Sequence, residues 1–378
     1  MKLFLFFSFF VFALGCNNPP ASDDPSSENE SAKGGEQWLT WDGNGKMPHI
    51  VLVSGDEEYR SEEAMPQMAK ILSKRHGFKC TVLFSQDPEK PGIVNPNYAF
   101  NIAGLEQLQS ADLLVLFTRF RALPDDQMQY IDDYLKSGKP VLGIRTATHA
   151  FKYEKGDSTS HFLHYGNYYQ GEDAWKDGFG RLVMGEHWVA HHGKHGHQST
   201  KGLLAPGAEE HPVVNGIEEG TIWGPTDVYR VRLPLPGDSQ PIVLGQVTER
   251  ELPYDENDRL LGMRMSDHEL PEAQEEDTNG KTKIHDQNDP MMPIAWTKTY
   301  QHPDGQPGKC FATTIGASTD LLAEGTRRMM VNAAFWCLGL EVPEKADVRI
   351  VGQYEPTRFQ FHDDAYWEER NVAVSDLK

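Results

Sequence analysis

From His49 to His149 the chain alternates short apolar runs with longer amphipathic stretches. "HIVLVSG" (His49–Gly55) is unbroken and β-branched, the pattern of a strand buried on both faces. A helix is expected over Glu62–Arg75, with Met65, Met68, Ala69 and Leu72 on one face. Ser61 would be its N-cap, Glu62 and Glu63 would suit its dipole, and Pro66 would belong in its first turn. Further strands are expected at Phe78–Phe84, Leu113–Phe117 and Pro140–Ile144, with a helix after Pro124 that aligns Met128, Ile131 and Leu135. This βαβ alternation predicts an α/β protein with a mostly parallel central sheet. Ligands in such sheets bind beyond the carboxyl ends of the strands. Three segments fall there: "SGDEEYR", "TRFRALPDD" and "RTATHAF".

The pattern then changes. Residues 152–212 are polar, aromatic and rich in histidine. Strand signals return at Asp227–Leu233, Pro241–Val247, Pro293–Thr299 and Cys310–Ile315, and a closing helix is expected over Gly325–Leu338. Residues 249–290 are highly charged and lack apolar periodicity, so they are expected to be a surface insert on a domain spanning 38–345. Residues 346–378 are expected to be a C-terminal extension packing on that domain.

The amino-terminal end reads differently. Lys2 precedes an apolar run, Leu3–Leu14, too short to span a bilayer, which needs roughly 20 residues. Residues 1–16 therefore read as a secretory leader. "FALGC" resembles a bacterial lipobox, which makes Cys16 the lipidated residue and implies a lipid-anchored protein of the bacterial cell envelope, at the outer membrane. Residues 17–37 have almost no large apolar side chain and are expected to be a flexible tether. A net charge of −20 argues against nucleic acid as a partner, since that binding is driven by phosphate neutralisation. Cys80, Cys310 and Cys337 are too few and too widely spaced for a disulfide framework, and read as buried thiols.

Candidate chemistry gathers at the expected strand ends. In "VLGIRTATHAF" the position just past the strand is Arg145, which can neither attack nor lose its proton. Its fork of donors suits a ligand carboxylate, phosphate or paired hydroxyls, or an internal bridge to Asp56, Glu57 or Glu58. Thr146 could attack only with a base to activate it. His149 is the candidate proton shuttle, Arg145 the anchor and Glu58 or Asp56 the partner carboxylate.

Nine of the fifteen histidines lie between His149 and His211, most densely in "GEHWVAHHGKHGHQST". Imidazole clusters mark divalent metals such as Zn, so His187, His191 and His192 form a candidate metal set. The other reading is a polar loop whose histidines bond substrate hydroxyls. Aromatic residues crowd the same region. Tyr165 and Trp188 are candidates to stack on or bond a sugar, with Asp56, Thr146 and His192 as further substrate contacts, although core packing would claim many such rings.

Taken together, "HIVLVSGDEEYRSEEAMPQMAKIL", "ADLLVLFTRFRALPDDQMQYIDDYLKSGKPVLGIRTATHAF", "HPVVNGI", "TDVYRV", "MPIAWTKTY" and "GKCFATTIGASTD…NAAFWCLGLEVP" resemble the ThuA-like (trehalose-utilisation) family over about Pro48–Pro343. The resemblance implies a flavodoxin-like, class I glutamine amidotransferase-like sandwich and a role in disaccharide or keto-sugar metabolism. Amidotransferases of this fold carry a Cys where Arg145 stands, so glutamine hydrolysis is not expected. Two functions remain: a sugar hydrolase or isomerase working by proton transfer or with a metal, and a non-catalytic carbohydrate-binding surface lipoprotein. The sequence leaves open whether the chain forms a homo-oligomer.

Overall fold

The apolar runs become the middle of one large sheet in the computed structural model, which describes residues 35–153, 159–269, 274–278 and 281–378. The expected leader, Cys16 and nearly all of the tether lie outside the described residues. In chain order the elements are β1 (Trp38–Trp41), β2 (His49–Gly55), α1 (Ser61–His76), β3 (Lys79–Phe84), β4 (Leu113–Thr118), α2 (Asp125–Lys136) and β5 (Val141–Ile144). Then come β6 (Gln198–Leu204), β7 (Trp223–Gly224), β8 (Gln240–Glu249), β9 (His268–Glu269), β10 (Gln274–Thr278) and β11 (Lys281–His285). The last are β12 (Met292–Gln301), β13 (Pro307–Thr313), α3 (Glu324–Cys337) and α4 (Asp364–Arg370).

The sheet order is β1-β3-β2-β4-β5-β13-β12-β8-β6-β7, with β9 added to β8. From β3 to β13 neighbouring strands are parallel. Beyond β13, and at β1, the pairing is antiparallel. The sheet is therefore mixed: parallel where helical crossovers separate the strands, antiparallel where the chain meanders. β2 and β4 are buried at every position, as their unbroken apolar sequence requires. Cys80, Cys310 and Cys337 are buried free thiols.

α1 buries the expected Met65–Met68–Ala69–Leu72 face and stops at Gly77, whose φ of 78° is accessible to glycine without strain. Its start differs from expectation. Arg60, at φ 60°, occupies the N-cap position, and the Ser61 hydroxyl bonds Ser54 Oγ (2.8 Å) and accepts from the Asp56 amide (3.0 Å). Pro66 lies beyond the first turn, opposite the Glu62 carbonyl that its missing amide cannot reach.

Three segments depart from the pattern-based reading. Asp227–Leu233 is not a strand; its backbone pairs with the 190–193 segment through an isolated bridge between His191 and Tyr229 and a few further bonds. β6 formed where no strand was expected, and the charged insert contains the β10–β11 hairpin. The C-terminal segment returns to the front of the sheet, where the Gln360 amide donates to the Glu58 carbonyl (2.9 Å) and Thr357 bonds Glu63. Among the described residues no helix is long and apolar enough to cross a membrane.

Candidate active site

The carboxyl ends of β2, β4 and β5 hold the expected segments close together. Arg145 follows β5 with φ 47°, a conformation costly for a side chain bearing Cβ and common where a strand delivers a residue sharply into a turn. The side chain is fully buried. It donates to the Asp227 carbonyl (2.7 Å), the Thr314 carbonyl (2.5 Å) and Asp227 Oδ1 (3.0 Å). Its guanidinium stacks on Tyr229 (3.7 Å to the ring centre) and Tyr59 (4.5 Å). Arg145 thus makes an internal bridge, but to Asp227 and not to the acidic loop after β2. It is a positioning residue, not an exposed ligand anchor.

Asp227 is the centre this bridge holds in place. Its Oδ2 pairs with His191 Nδ1 (2.7 Å) and its Oδ1 with His195 Nδ1 (3.0 Å). Burial opposes ionisation of Asp227, but the bonds from His191 and His195 and the charge of Arg145 hold its carboxyl well below the usual range. His195 reaches in the other direction to Glu58 Oε1 (3.2 Å). Burial alone would lower the His195 pKa; the bonds to Asp227 and Glu58 outweigh it and raise the pKa to about 9. One ligand atom from each of His191, His195 and Asp227 lies within 4.8 Å of the others. Two imidazoles and a carboxylate are the donor types of a catalytic zinc site with one position left for water or substrate, so these residues fit a divalent ion.

The acidic loop is divided among several tasks. Asp56 is buried, accepts from Thr146 Oγ1 (2.6 Å) and from the amides of Glu58 (2.8 Å) and Tyr59, and is pushed up to about 6 by burial and by Glu57 beside it. Glu57 pairs with Arg119 and with Arg121 (2.8 Å). Only Glu58 faces the histidines. Thr146 is buried with its hydroxyl committed to Asp56, so neither residue is presented to a substrate.

His149 lies beside this group, its ring 4.9 Å from Phe120, 5.7 Å from Trp188 and 6.2 Å from Tyr229. Burial, then the nearby Arg119 and Arg145, hold its pKa well below the ordinary value, so it is neutral at pH 7. The Thr148 hydroxyl donates to the Arg145 carbonyl (3.3 Å) and sits 3.1 Å from His149 Nδ1. With the Thr148 proton given to the Arg145 carbonyl, the Thr148 oxygen accepts from His149 Nδ1, the tautomer in which Nε2 is the acceptor.

Of the other expected site residues, His187 is near enough to His149 to help lower its pKa, but it makes a different bond from His191. His187 Nδ1 meets the Asn167 carbonyl (3.2 Å) and His192 Nε2 the Gln287 carbonyl (2.7 Å), so neither joins His191. Tyr165 is a core residue that donates to Asp132 (2.8 Å) and packs on Trp175 and Phe151. Trp188 stays at the site, its ring 5.7 Å from His191. Asp227 and His195 were not among the expected site residues. His191 and His195 repeat the i, i+4 spacing of His187 and His191, which sequence alone could not rank. Asp227 comes from a segment that only the 190–230 backbone pairing brings alongside.

No family model matches the chain, and no curated protein does. Among solved structures, a crystal structure of a protein named as thua-like from Parabacteroides merdae is similar at 15% identity, covering 84% of this chain and 98% of that one with a TM-score of 0.41.

Proposed function

We propose that this protein is a carbohydrate-processing enzyme of the ThuA-like kind, with a flavodoxin-like, amidotransferase-like core, acting on a disaccharide or keto-sugar. The observation that carries the reading is the convergence of His191, His195 and Asp227 beside a neutral His149 at the carboxyl ends of the parallel strands. Bound to those three groups, a divalent ion such as Zn would polarise a carbonyl or hydroxyl oxygen. His149 Nε2 would accept a proton from the sugar and return it, as a neutral imidazole at pH 7 can. Glu58 would keep His195 oriented through its outer nitrogen, the usual role of a carboxylate behind a ligating imidazole. Arg145, buried and fixed at the elbow, supports the view that glutamine hydrolysis is not the reaction. The same proposal places the protein at the bacterial cell envelope, anchored through Cys16, with a small sugar and not a nucleic acid as its partner.

The test is turnover of trehalose and of its 3-keto form by the purified domain from Trp38 onward, followed by NMR with and without a strong chelator. Product that disappears with chelator and returns on adding Zn is the expected outcome. Product unaffected by chelator would leave His149 and remove the metal. No product, but measurable sugar binding, would instead mark a non-catalytic carbohydrate-binding lipoprotein.

A further inference from the structure

Around the histidines, planar side chains touch one another in sequence. His149 meets Phe120 on one side and Trp188 on the other; His195 meets Phe359 at 5.5 Å. Next to these rings lies a second group that the site does not use. Phe120 contacts Tyr168 (6.0 Å, 32° between planes), and Arg119 is sandwiched between Phe120 (4.7 Å) and Phe361 (4.8 Å). Tyr168 and Phe361 are 55% and 54% exposed, a large apolar ring surface left to solvent. Phe120 is held at φ 51°, with its own amide bonded to the His149 carbonyl (2.9 Å) and the next amide to the Ala150 carbonyl (2.7 Å). Backbone strain at a β-unbranched aromatic, locked by two bonds to the histidine segment, presents that ring beside His149. Phe361 comes from the C-terminal segment, far away in sequence, fastened by the Gln360–Glu58 backbone bond.

Charge restricts what these rings can hold. Arg119 is already paired with Glu57 and lies 3.7 Å from Glu58, so its charge is compensated within the protein; the Lys152 ammonium lies 5.7 Å from the centre of the Phe120 ring and is itself partnered. With Arg119 and Lys152 lying over Phe120, the apolar ring surface left open is that of Tyr168 and Phe361, which suits a neutral ring with an apolar C–H face and a hydroxyl rim.

We infer that Tyr168 and Phe361, backed by Phe120, form a second saccharide subsite, which binds the ring attached to the sugar that reacts beside His149. The inference rests on the carbohydrate reading above and deepens it: the substrate has at least two rings, and the C-terminal segment supplies part of its recognition. Tyr168 and Phe361 are exposed, so replacing them leaves the core intact.

The experiment compares wild type, Phe361→Ala, Tyr168→Ala and Tyr168→Leu, each checked for an unchanged thermal midpoint. Binding is titrated by calorimetry with trehalose and 3-ketotrehalose as two-ring probes, and with glucose and 3-ketoglucose as one-ring probes. The expected result is weaker two-ring binding by about 3- to 10-fold in each variant, with one-ring affinity unchanged. Tyr168→Leu should weaken as much as Tyr168→Ala, because stacking needs a ring face. Equal loss for one- and two-ring sugars, or no loss for either, overturns the subsite while leaving the carbohydrate reading standing if wild type binds or turns over sugar. Wild type that binds none of the four probes overturns both. Selective loss in a protein that makes no product keeps the subsite and removes the enzyme.

Discussion

Arg145 and Asp227 are each the condition for the other's burial. The guanidinium has four polar or π partners and no solvent, and Asp227 holds two histidines with the charge that Arg145 compensates. Removing one member of such a pair leaves the other charge uncompensated, at a cost of about 3–5 kcal/mol. Arg145→Met should therefore lower stability to urea by an amount of that order, read as a shift of the unfolding midpoint at unchanged slope. A midpoint within error of wild type would show that the pair carries little. His191 is different: its side chain is 38% exposed and belongs to no core. His191→Ala should keep the fold and weaken zinc binding by more than about 100-fold, measured by competition against a chromophoric chelator. Zinc affinity equal to wild type would exclude His191 from the ligand set.

At the scale of elements, the parts legible in the sequence were those whose burial is apolar. β2, β4 and β5 are apolar through their middles, with polar residues only towards the ends of β2 and β4, and α1, α2 and α3 carry their apolar faces at helical spacing. β6 was not legible, because it is buried through polar side chains. Gln198 bonds Glu249, Ser199 bonds Thr248, and Thr200 donates to the Thr226 carbonyl, so "QST" satisfies its hydrogen bonds inside the sheet without an apolar signature. Asp227–Leu233 misled in the opposite sense: Val228 and Val231 are buried, but the backbone pairs too briefly to make a strand. The site was legible only in part for a related reason. His149, Glu58 and His191 stand where strand ends and histidine density pointed, whereas the link from His195 to Asp227 depends on two segments about thirty residues apart. The C-terminal segment follows the same logic, since its contacts to Glu58, Glu63 and Ser318 are all distant in sequence. Deleting residues 353–378 should strip Phe359 from Tyr59 and His195 and uncover the buried Arg60 beneath Trp367. The expected outcome is a folded but less stable domain, its unfolding midpoint lowered and the amides of residues 56–60 exchanging faster with deuterium. Unchanged exchange there would mean that the extension lies on the site without supporting it.

For the whole molecule, buried acids and a net charge of −20 act on stability in the same direction as pH rises. Glu62 is buried against Arg60 at 3.1 Å, yet burial outweighs that partner and lifts its carboxyl from 4.5 to about 7; Asp56 rises from 3.8 to about 6. A carboxyl whose pKa is higher in the folded state binds its proton more tightly there. Its contribution is full below the unfolded value and is lost as pH climbs through the folded one. For Glu62 the loss falls between about pH 4.5 and 7 and is on the order of 3 kcal/mol at 1.4 kcal/mol per pKa unit. Asp227 works with the opposite sign, since its lowered pKa makes the contribution present above 3.8 and lost in acid. Buried His149 also opposes the two raised acids: its pKa lies well below the unfolded value, so its contribution is present above about pH 6.5 and is lost as pH falls. The overall optimum is a balance of these groups, and the share of Glu62 is read by difference. Glu62→Gln separates the buried acid from the general charge: glutamine resembles the protonated carboxyl and does not titrate. Thermal midpoints of wild type and Glu62→Gln, scanned from pH 4.5 to 8 in chelator, should diverge with rising pH, the wild type falling faster by the share that Glu62 contributes. Parallel curves would mean that Glu62 titrates at its ordinary value, and that Arg60 stabilises its charge as fully as water does.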